Sequence, residues 1–350
     1  MFGKGKQLIG LDIGTSAVKM VVLKEQIKGY SLQALGYEPL PPEAIVDGAI
    51  MDSAIVIEAI QKIVKDQKIR KKNVALSVSG HAVIVKKITL PKMSQEELDE
   101  SILWEAEQYI PFDIEDVNID FHIIEDRNVG GNEMEVILVA AKKDKVNDYT
   151  NLVRQAGLIP MVVDVDGFAI GNQYEVNYNI EPDRVIALID IGAGVMNINI
   201  MQGQQHMLYR DISMGGNQFS DAIQKELNVT YQQAEEIKRG GVIDGVSREV
   251  AEDVINSVAE DLSHEIQRSF DYFKATSSTT GIDQVVLTGG CSKLKNGGIA
   301  GFLSDRLGVE VAIGNPLQNI AYNPKKIDPT FIEEVGPMYA VAVGLAIRRG

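Results

Sequence analysis

Cysteine is almost absent: the 350-residue chain has a single one, Cys291. A disulfide framework is therefore impossible, and the chain suits a reducing compartment. Cys291 follows Gly289-Gly290 and reads as a small turn residue rather than a nucleophile. Basic residues are in deficit, 34 Lys+Arg against 49 Asp+Glu, for a net charge of -15. That balance argues against a protein that coats DNA or RNA with a basic face. A local pocket can still oppose the global field and take a small anion. The four histidines, His81, His122, His206 and His264, are scattered without zinc-ligand spacing. No stretch reaches the ~18 apolar residues of a membrane span. The longest candidate, Val335 to Ile347, holds two glycines and a proline and stops at Arg348-Arg349. The N-terminus lacks a cleavable apolar core. These absences predict a cytoplasmic protein that needs a partner for any membrane role.

What is present is a repeat. Leu8 to Leu23 reads LIGLDIGTSAVKMVVL, and Ile186 to Met201 reads IALIDIGAGVMNINIM. Each copy is an apolar strand, an Asp-Ile-Gly turn, small residues and a second apolar strand. Asp12 aligns with Asp190 and Gly14 with Gly192. A repeat at this separation predicts two related domains facing each other, and 350 residues suffice for two cores. Further strands are expected at 31–37, Val74 to Val78 and Val83 to Leu90, with a helix marked by Ile55, Ala59, Ile63 and Val64. Ser94 and Glu97 form a capping box that starts a helix running to about Ile110, with Leu98, Ile102, Ala106 and Tyr109 on its apolar face. A strand pair at Val117 to Glu125 and Met134 to Ala141, joined by a turn at 128–132, and a helix from about Lys145 to Ala156 complete a compact insert. The second copy continues into helices, a strand at Gln284 to Leu287, a loop at 314–330 and a final helix opened by Gly336-Pro337.

The chemistry gathers at the repeated turn. A carboxylate at a strand end beside exposed backbone N–H groups can serve Mg²⁺ and phosphate together. Magnesium keeps most of its waters, so one or two carboxylates and phosphate oxygens suffice. Asp12, Gly14, Thr15 and Ser16 form the first such turn, with Lys19 on the next strand in reach of a phosphate. Asp190, Gly192, Ala193 and Gly194 form the second. Two aspartates lining one cleft would repel without a cation, which makes Asp12 and Asp190 candidates to hold Mg²⁺ through water. Taken singly, each turn is equally explained as a hairpin. Thr288-Gly289-Gly290 is a third glycine turn at a strand end, where a flat base or ribose can approach the backbone. Glu235, Lys238 and Arg239 share one helix face, a spacing also usual for a solvated ion pair.

Two Asp-Ile-Gly hairpins, a Gly-Gly turn and a final Gly-containing helix, in this order over the entire chain, resemble the actin-like ATPase superfamily. The resemblance implies an α/β fold of two ribonuclease-H-like domains with Mg²⁺ and ATP or ADP between them. By that likeness Asp12 to Lys19 and Asp190 to Val195 are phosphate loops, Gly215 and Gly216 and the Val286 to Leu294 loop with Gly289, Gly290 and Lys293 belong to the nucleotide site, and Glu235, Lys238 and Arg239 hold ribose and adenine. Asp164 to Gly171 and Gly336 to Ile347 resemble the connecting helices. The implied division is a first domain, 1–183, made of 1A (1–90 and 160–183) and an FtsA-type 1C insert (91–159). The second domain, 184–350, comprises 2A (184–211 and 282–335), 2B (212–281) and the connecting helix 336–347.

The opening FGKGKQLIGLDIGTSAVKMVVL and the run ILWEAEQYIPFDIEDVNIDFHIIE look closely like the PilM family of type IV pilus assembly proteins. That likeness implies a cytoplasmic nucleotide-binding protein, peripheral at the inner membrane, that holds the N-terminal tail of PilN in a 1A/1C groove and couples through PilN and PilO to the pilus motor ATPases. Trp104, Tyr109 and Phe112 are aromatic candidates for the groove, with core packing as the competing role. Hydrolysis also needs a group that orients or deprotonates a water. Asp164 and Asp166 are the candidates, with helix capping as the alternative, so nucleotide binding with slow or absent hydrolysis is expected. An FtsA-like cell-division filament protein and a small-molecule kinase of the same superfamily are the rival readings.

Overall fold

The computed structural model describes residues 6–124, 132–277, 279, 281–325 and 327–350. The first sheet runs in the order Ile159–Val165, Asn73–Val78, Ile9–Ile13, Ala17–Glu25, Tyr30–Pro39 and Ile320–Ala321. The second runs Val311–Ile313, Gln284–Thr288, Val185–Ile191, Met196–Gln202 and Gln205–Ile212. In both, an antiparallel three-strand meander continues on its far side into parallel strands. Leaving aside Ile320–Ala321, order and sense are the same, so the repeat in sequence is a repeat in topology. Ile9–Ile13 and Val185–Ile191 are buried along their whole length, because both faces of a parallel sheet flanked by helices are covered.

Helices cover those faces. Asp52 accepts a hydrogen bond from the Ile55 N–H at 3.2 Å and starts the helix Ser53–Asp66. Its buried residues Val56, Ala59, Ile60 and Ile63 recur at helical spacing against the first sheet. On the second sheet, the helices Gly216–Leu227 and Arg248–Thr276 contribute Phe219, Ile223, Ile255, Leu262 and Ile266 to a separate core.

The insert has a core of its own. Its sheet runs Val83–Pro91, Glu133–Lys142, Val117–Ile124, all antiparallel. The helix Gln95–Glu107 packs on it through Leu98, Ile102 and Ala106, and both bonds of the Ser94–Glu97 capping box are made. Val83–Pro91 pairs with Glu133–Lys142 and buries Ile88 and Leu90 in the same core. At the far end, the helix Lys143–Gln155 buries Tyr149, Leu152 and Val153 in the first-sheet core instead. Of the turn expected at 128–132, residues 128–131 lie outside the described residues.

Between the two sheets lie the connecting helices Asp166–Asn177 and Ala340–Ile347. Ala169, Ile170, Val341 and Leu345 meet Leu8 and Ala75 of the first domain and Ile186 and Leu188 of the second. The helices approach backbone to backbone: a Cβ on Gly344 would lie 1.7 Å from the Ala169 carbonyl oxygen. Against the expectation that no stretch reaches span length, Pro329–Ile347 is long and apolar enough to cross a membrane, but 61% of its apolar window is buried, as befits a segment between two sheets. The segment 314–330, expected as loop, includes Ile320–Ala321, which pairs with Tyr30 and Ser31 at the edge of the first sheet.

Candidate functional site

The two Asp-Ile-Gly turns fold alike because their hairpins share one register. Asp12 pairs with Lys19, and Asp190 with Asn197. The Gly14 N–H donates to the Ala17 carbonyl at 3.1 Å, and the Gly192 N–H to the Val195 carbonyl at 3.0 Å. The turns face each other so closely that a Cβ on Gly194 would lie 3.0 Å from the Thr15 hydroxyl. One cleft contains Asp12, Gly14, Thr15, Ser16, Lys19, Asp190, Gly192, Ala193 and Gly194. Residues absent from the sequence-level candidates line it too: Asp47, Gly48, Ser77, Lys145, Tyr149 and Asn197.

Charge in the cleft is unbalanced. Lys19 donates to Asp12 at 2.9 Å. Burial works against its charge, but Asp12 and the more distant Asp190 outweigh that, and its pKa is raised. Asp190 accepts from the Thr288 hydroxyl at 2.8 Å. Burial pushes its carboxyl up to about 6, against the pull of Thr288 and Lys19. Asp166 accepts from Ser77 at 2.5 Å, and burial, then the Asp12 charge, push it up to about 7. Two carboxylates held this far above their ordinary range beside a third describe a site short of positive charge. Among the described residues no three carboxylate, histidine or cysteine side chains gather tightly enough to chelate an ion by themselves. This donor set fits a hydrated divalent cation completed by phosphate oxygens, the way Mg²⁺ is usually held.

The expected nucleoside residues are also brought together. The Gly216 and Asn217 N–H groups donate to the Gly192 and Ala193 carbonyls at 2.9 and 2.8 Å, which seats the second Asp-Ile-Gly turn on the helix Gly216–Leu227. Lys238 donates to the Gly216 carbonyl at 3.1 Å, to Ser220 at 2.8 Å and to Glu235. Arg239 stays exposed, 3.6 Å from Glu235. Gly289, at φ +87°, rests on the backbone of Ile191, where a Cβ would lie 2.4 Å from the Ile191 carbonyl oxygen, and its N–H donates to the Pro337 carbonyl. Gly290 and Lys293 follow on the 3₁₀ turn Gly290–Gly297. Cys291 is buried against the Gly192 carbonyl, and burial raises its thiol to about 11, so it is inert as a nucleophile.

Asp164 and Asp166 part company. Neither caps the connecting helix, whose N-cap is Val165 without a side-chain bond. Asp164 accepts from the Val165 N–H and from Arg348 at 2.6 Å, outside the cleft residues, whereas Asp166 faces the cleft. Opposite it, Asp211 accepts from the Gly80 N–H, from Asn197 and from Tyr209, which ties the second domain to the 79–81 turn of the first. In the insert, Tyr109 and Phe112 pack against the core, whereas Trp104 is 75% exposed, because it lies off the Leu98–Ile102–Ala106 stripe.

Two sheets of one order, closing on a cleft of paired phosphate-type turns with two helices between them, define an actin-like ATPase fold. MreB5 of Spiroplasma citri, in a structure bound to ADP, shares this fold at a TM-score of 0.53 and 15% identity, covering 96% of this chain and 94% of that one. The cell division protein FtsA of Staphylococcus epidermidis is 25% identical over 360 residues, 89% of this chain and 74% of its own length. Within the fold, the chain belongs to the type IV pilus assembly protein PilM family, whose model matches residues 10–350. A chain of a solved PilM–PilN type IV pilus biogenesis complex is 34% identical, with a TM-score of 0.88 and 98% of each chain covered.

Proposed function

We propose that this protein is a nucleotide-biased scaffold of the type IV pilus inner-membrane assembly complex. Its cleft binds ATP or ADP with Mg²⁺, and a separate groove holds the cytoplasmic N-terminal tail of a PilN-type membrane protein. The observation that carries the reading is the likeness, along 98% of the chain, to a chain of the PilM–PilN complex. Asp12 and Asp190 would hold Mg²⁺ through its waters, and the N–H groups of Gly14 to Ser16 and Gly192 to Gly194 would take phosphate. Glu235, Lys238, Arg239, Gly289, Gly290 and Lys293 would surround the nucleoside. The bound Mg²⁺ supplies the positive charge that the clustered carboxylates lack. Because Thr15 and Gly194 all but touch, a polyphosphate between the loops parts the domains, and ligand binding is coupled to the hinge. Asp166 is the residue that orients a water. Turnover on this reading is slow or absent.

The groove lies between two sheet edges. Ile159–Val165 is the outer strand of the first sheet and Val117–Ile124 the outer strand of the insert sheet. Ile159, Met161 and Val163 expose their side chains on one face of the former. Arg348, paired with Asp164, feels Asp120 of the latter and so stands near both edges. An extended peptide can add its backbone to such an edge and place alternate side chains on the apolar face. Through this tail the protein is peripheral at the inner membrane and coupled to PilO and the motor ATPases.

A synthetic peptide of the PilN tail tests this by calorimetry. Binding is expected, and Met161→Glu is expected to weaken it at least about tenfold by placing a charge on the apolar face. Absence of binding by the native chain up to about 0.5 mM, an interaction weaker than about 4.5 kcal/mol, sinks the reading.

A further inference from the structure

Of the two lysines that line the cleft, Lys19 has a carboxylate partner, Asp12, as does Lys238 beside the second turn, with Glu235. Lys145 does not. Its ammonium donates to the Gly48 carbonyl and to the Tyr149 hydroxyl at 3.2 Å, and it lies 4.3 Å over the Tyr149 ring. Among the described residues no carboxylate is within ion-pair distance of it. Burial lowers its pKa, opposed only by the more distant Asp166 and Asp148. A largely desolvated cation with neutral partners is costly, and an incoming phosphate supplies the missing counter-charge. Lys145 lines the same cleft as both phosphate-type turns and Asp166, so that phosphate would arrive there.

Its place in the chain gives the contact a second consequence. The helix Lys143–Gln155 continues without a break from Glu133–Lys142, the middle strand of the insert sheet. Lys145 sits in its first turn. Gly48 is at the tip of the small hairpin Ile45–Val46 and Ala49–Ile50, and this tip also lines the cleft. Tyr149 donates to the same Gly48 carbonyl at 3.1 Å. The cleft, the hairpin tip and the root of the insert therefore meet at one ammonium group.

We propose that Lys145 is a specificity-determining residue that takes the terminal phosphate of a nucleoside triphosphate, exchanging the Gly48 carbonyl for it and so reporting that phosphate to the insert. This rests on the cleft being a nucleotide site. With a diphosphate bound, Lys145 stays on Gly48, and with a triphosphate it leaves.

Calorimetry with Mg-ATP and Mg-ADP on the full chain tests it. The native protein is expected to prefer ATP. Lys145→Met is expected to weaken ATP about tenfold to a hundredfold with ADP unchanged, and Lys145→Arg to keep most of the preference. Hydrogen exchange adds a readout that a merely structural lysine would not move. ATP, and not ADP, should alter protection at Asp47 to Ala49 and at the start of Lys143–Gln155, in the native protein and in Lys145→Arg but not in Lys145→Met. If Lys145→Met does not fold, Lys145→Gln decides by the same criteria. An unchanged ATP-to-ADP ratio in Lys145→Met (or in Lys145→Gln where that variant decides), or an equal loss for both nucleotides, overturns the role of Lys145 while native binding leaves the nucleotide site standing. Failure of the native protein to bind either nucleotide overturns the site and this proposal together.

Discussion

Replacing Asp166 by asparagine removes a charge that the cleft resists while keeping a side chain able to bond Ser77. Burial and the Asp12 charge raise the Asp166 carboxyl from 3.8 to about 7. Between about pH 4 and 7 the folded protein thus holds a proton that the unfolded chain has released, and this group makes stability fall as pH rises through that window, then level off above it. The full shift corresponds to about 4 kcal/mol, and solvent at the cleft mouth brings the expected value to roughly 2–4 kcal/mol. Asp166→Asn should therefore be more stable than the native protein by that amount at pH 8 and by only about 1.5 kcal/mol at pH 5. Urea unfolding at both pH values, without nucleotide, measures the gap. Asp190, raised to about 6, titrates in both proteins and largely cancels from the difference. A native protein more stable than the variant at pH 8, or a gap that does not change with pH, would refute the argument.

Two further outcomes follow from the same geometry. Asp12→Ala and Asp190→Ala should each weaken Mg-ATP binding by about 1.5–3 kcal/mol through lost charge-assisted contacts, and unchanged affinity in both by calorimetry removes the metal assignment. Gly344→Ala should lower stability by roughly 1–3 kcal/mol or more, because its Cβ would collide with the Ala169 carbonyl; a thermal midpoint equal to the native one would deny that the helices meet backbone to backbone.

Features written in contiguous residues were legible in the sequence, and features made by distant ones were not. The doubled Asp-Ile-Gly hairpins foretold two sheets of one topology, because a hairpin's register is set locally by its turn and apolar pattern. The capping box at Ser94 and Glu97 fell where expected for the same reason. By contrast, Ile320–Ala321 is two residues long and is a strand only because Tyr30 and Ser31 lie beside it. Asp164 looked like a cap or a catalytic group until Arg348, 184 residues away, proved to be its partner. Lys145 and Tyr149 reach the cleft only through the small hairpin at Gly48, whose pairing no local periodicity announces. Trp104 stands off the helical stripe of Leu98, Ile102 and Ala106, and that spacing alone places it outward. The roles of Gly215 and Gly216 rest on the resemblance alone; what the fold adds is that the Gly216 and Asn217 N–H groups bond the Gly192 and Ala193 carbonyls.

The first domain is not built from contiguous sequence. Leu23 and Leu32 of its meander share a core with Leu317, Ile320, Tyr339 and Val343, and its edge strand Tyr30–Pro39 waits for Ile320–Ala321. During synthesis the opening meander therefore leaves the ribosome long before the residues that cover it, with an apolar face and a sheet edge open in the meantime. Pairings this distant slow folding, and transiently uncovered strands are where chains aggregate. A fragment ending before Leu317 lacks the residues that seal its own first sheet.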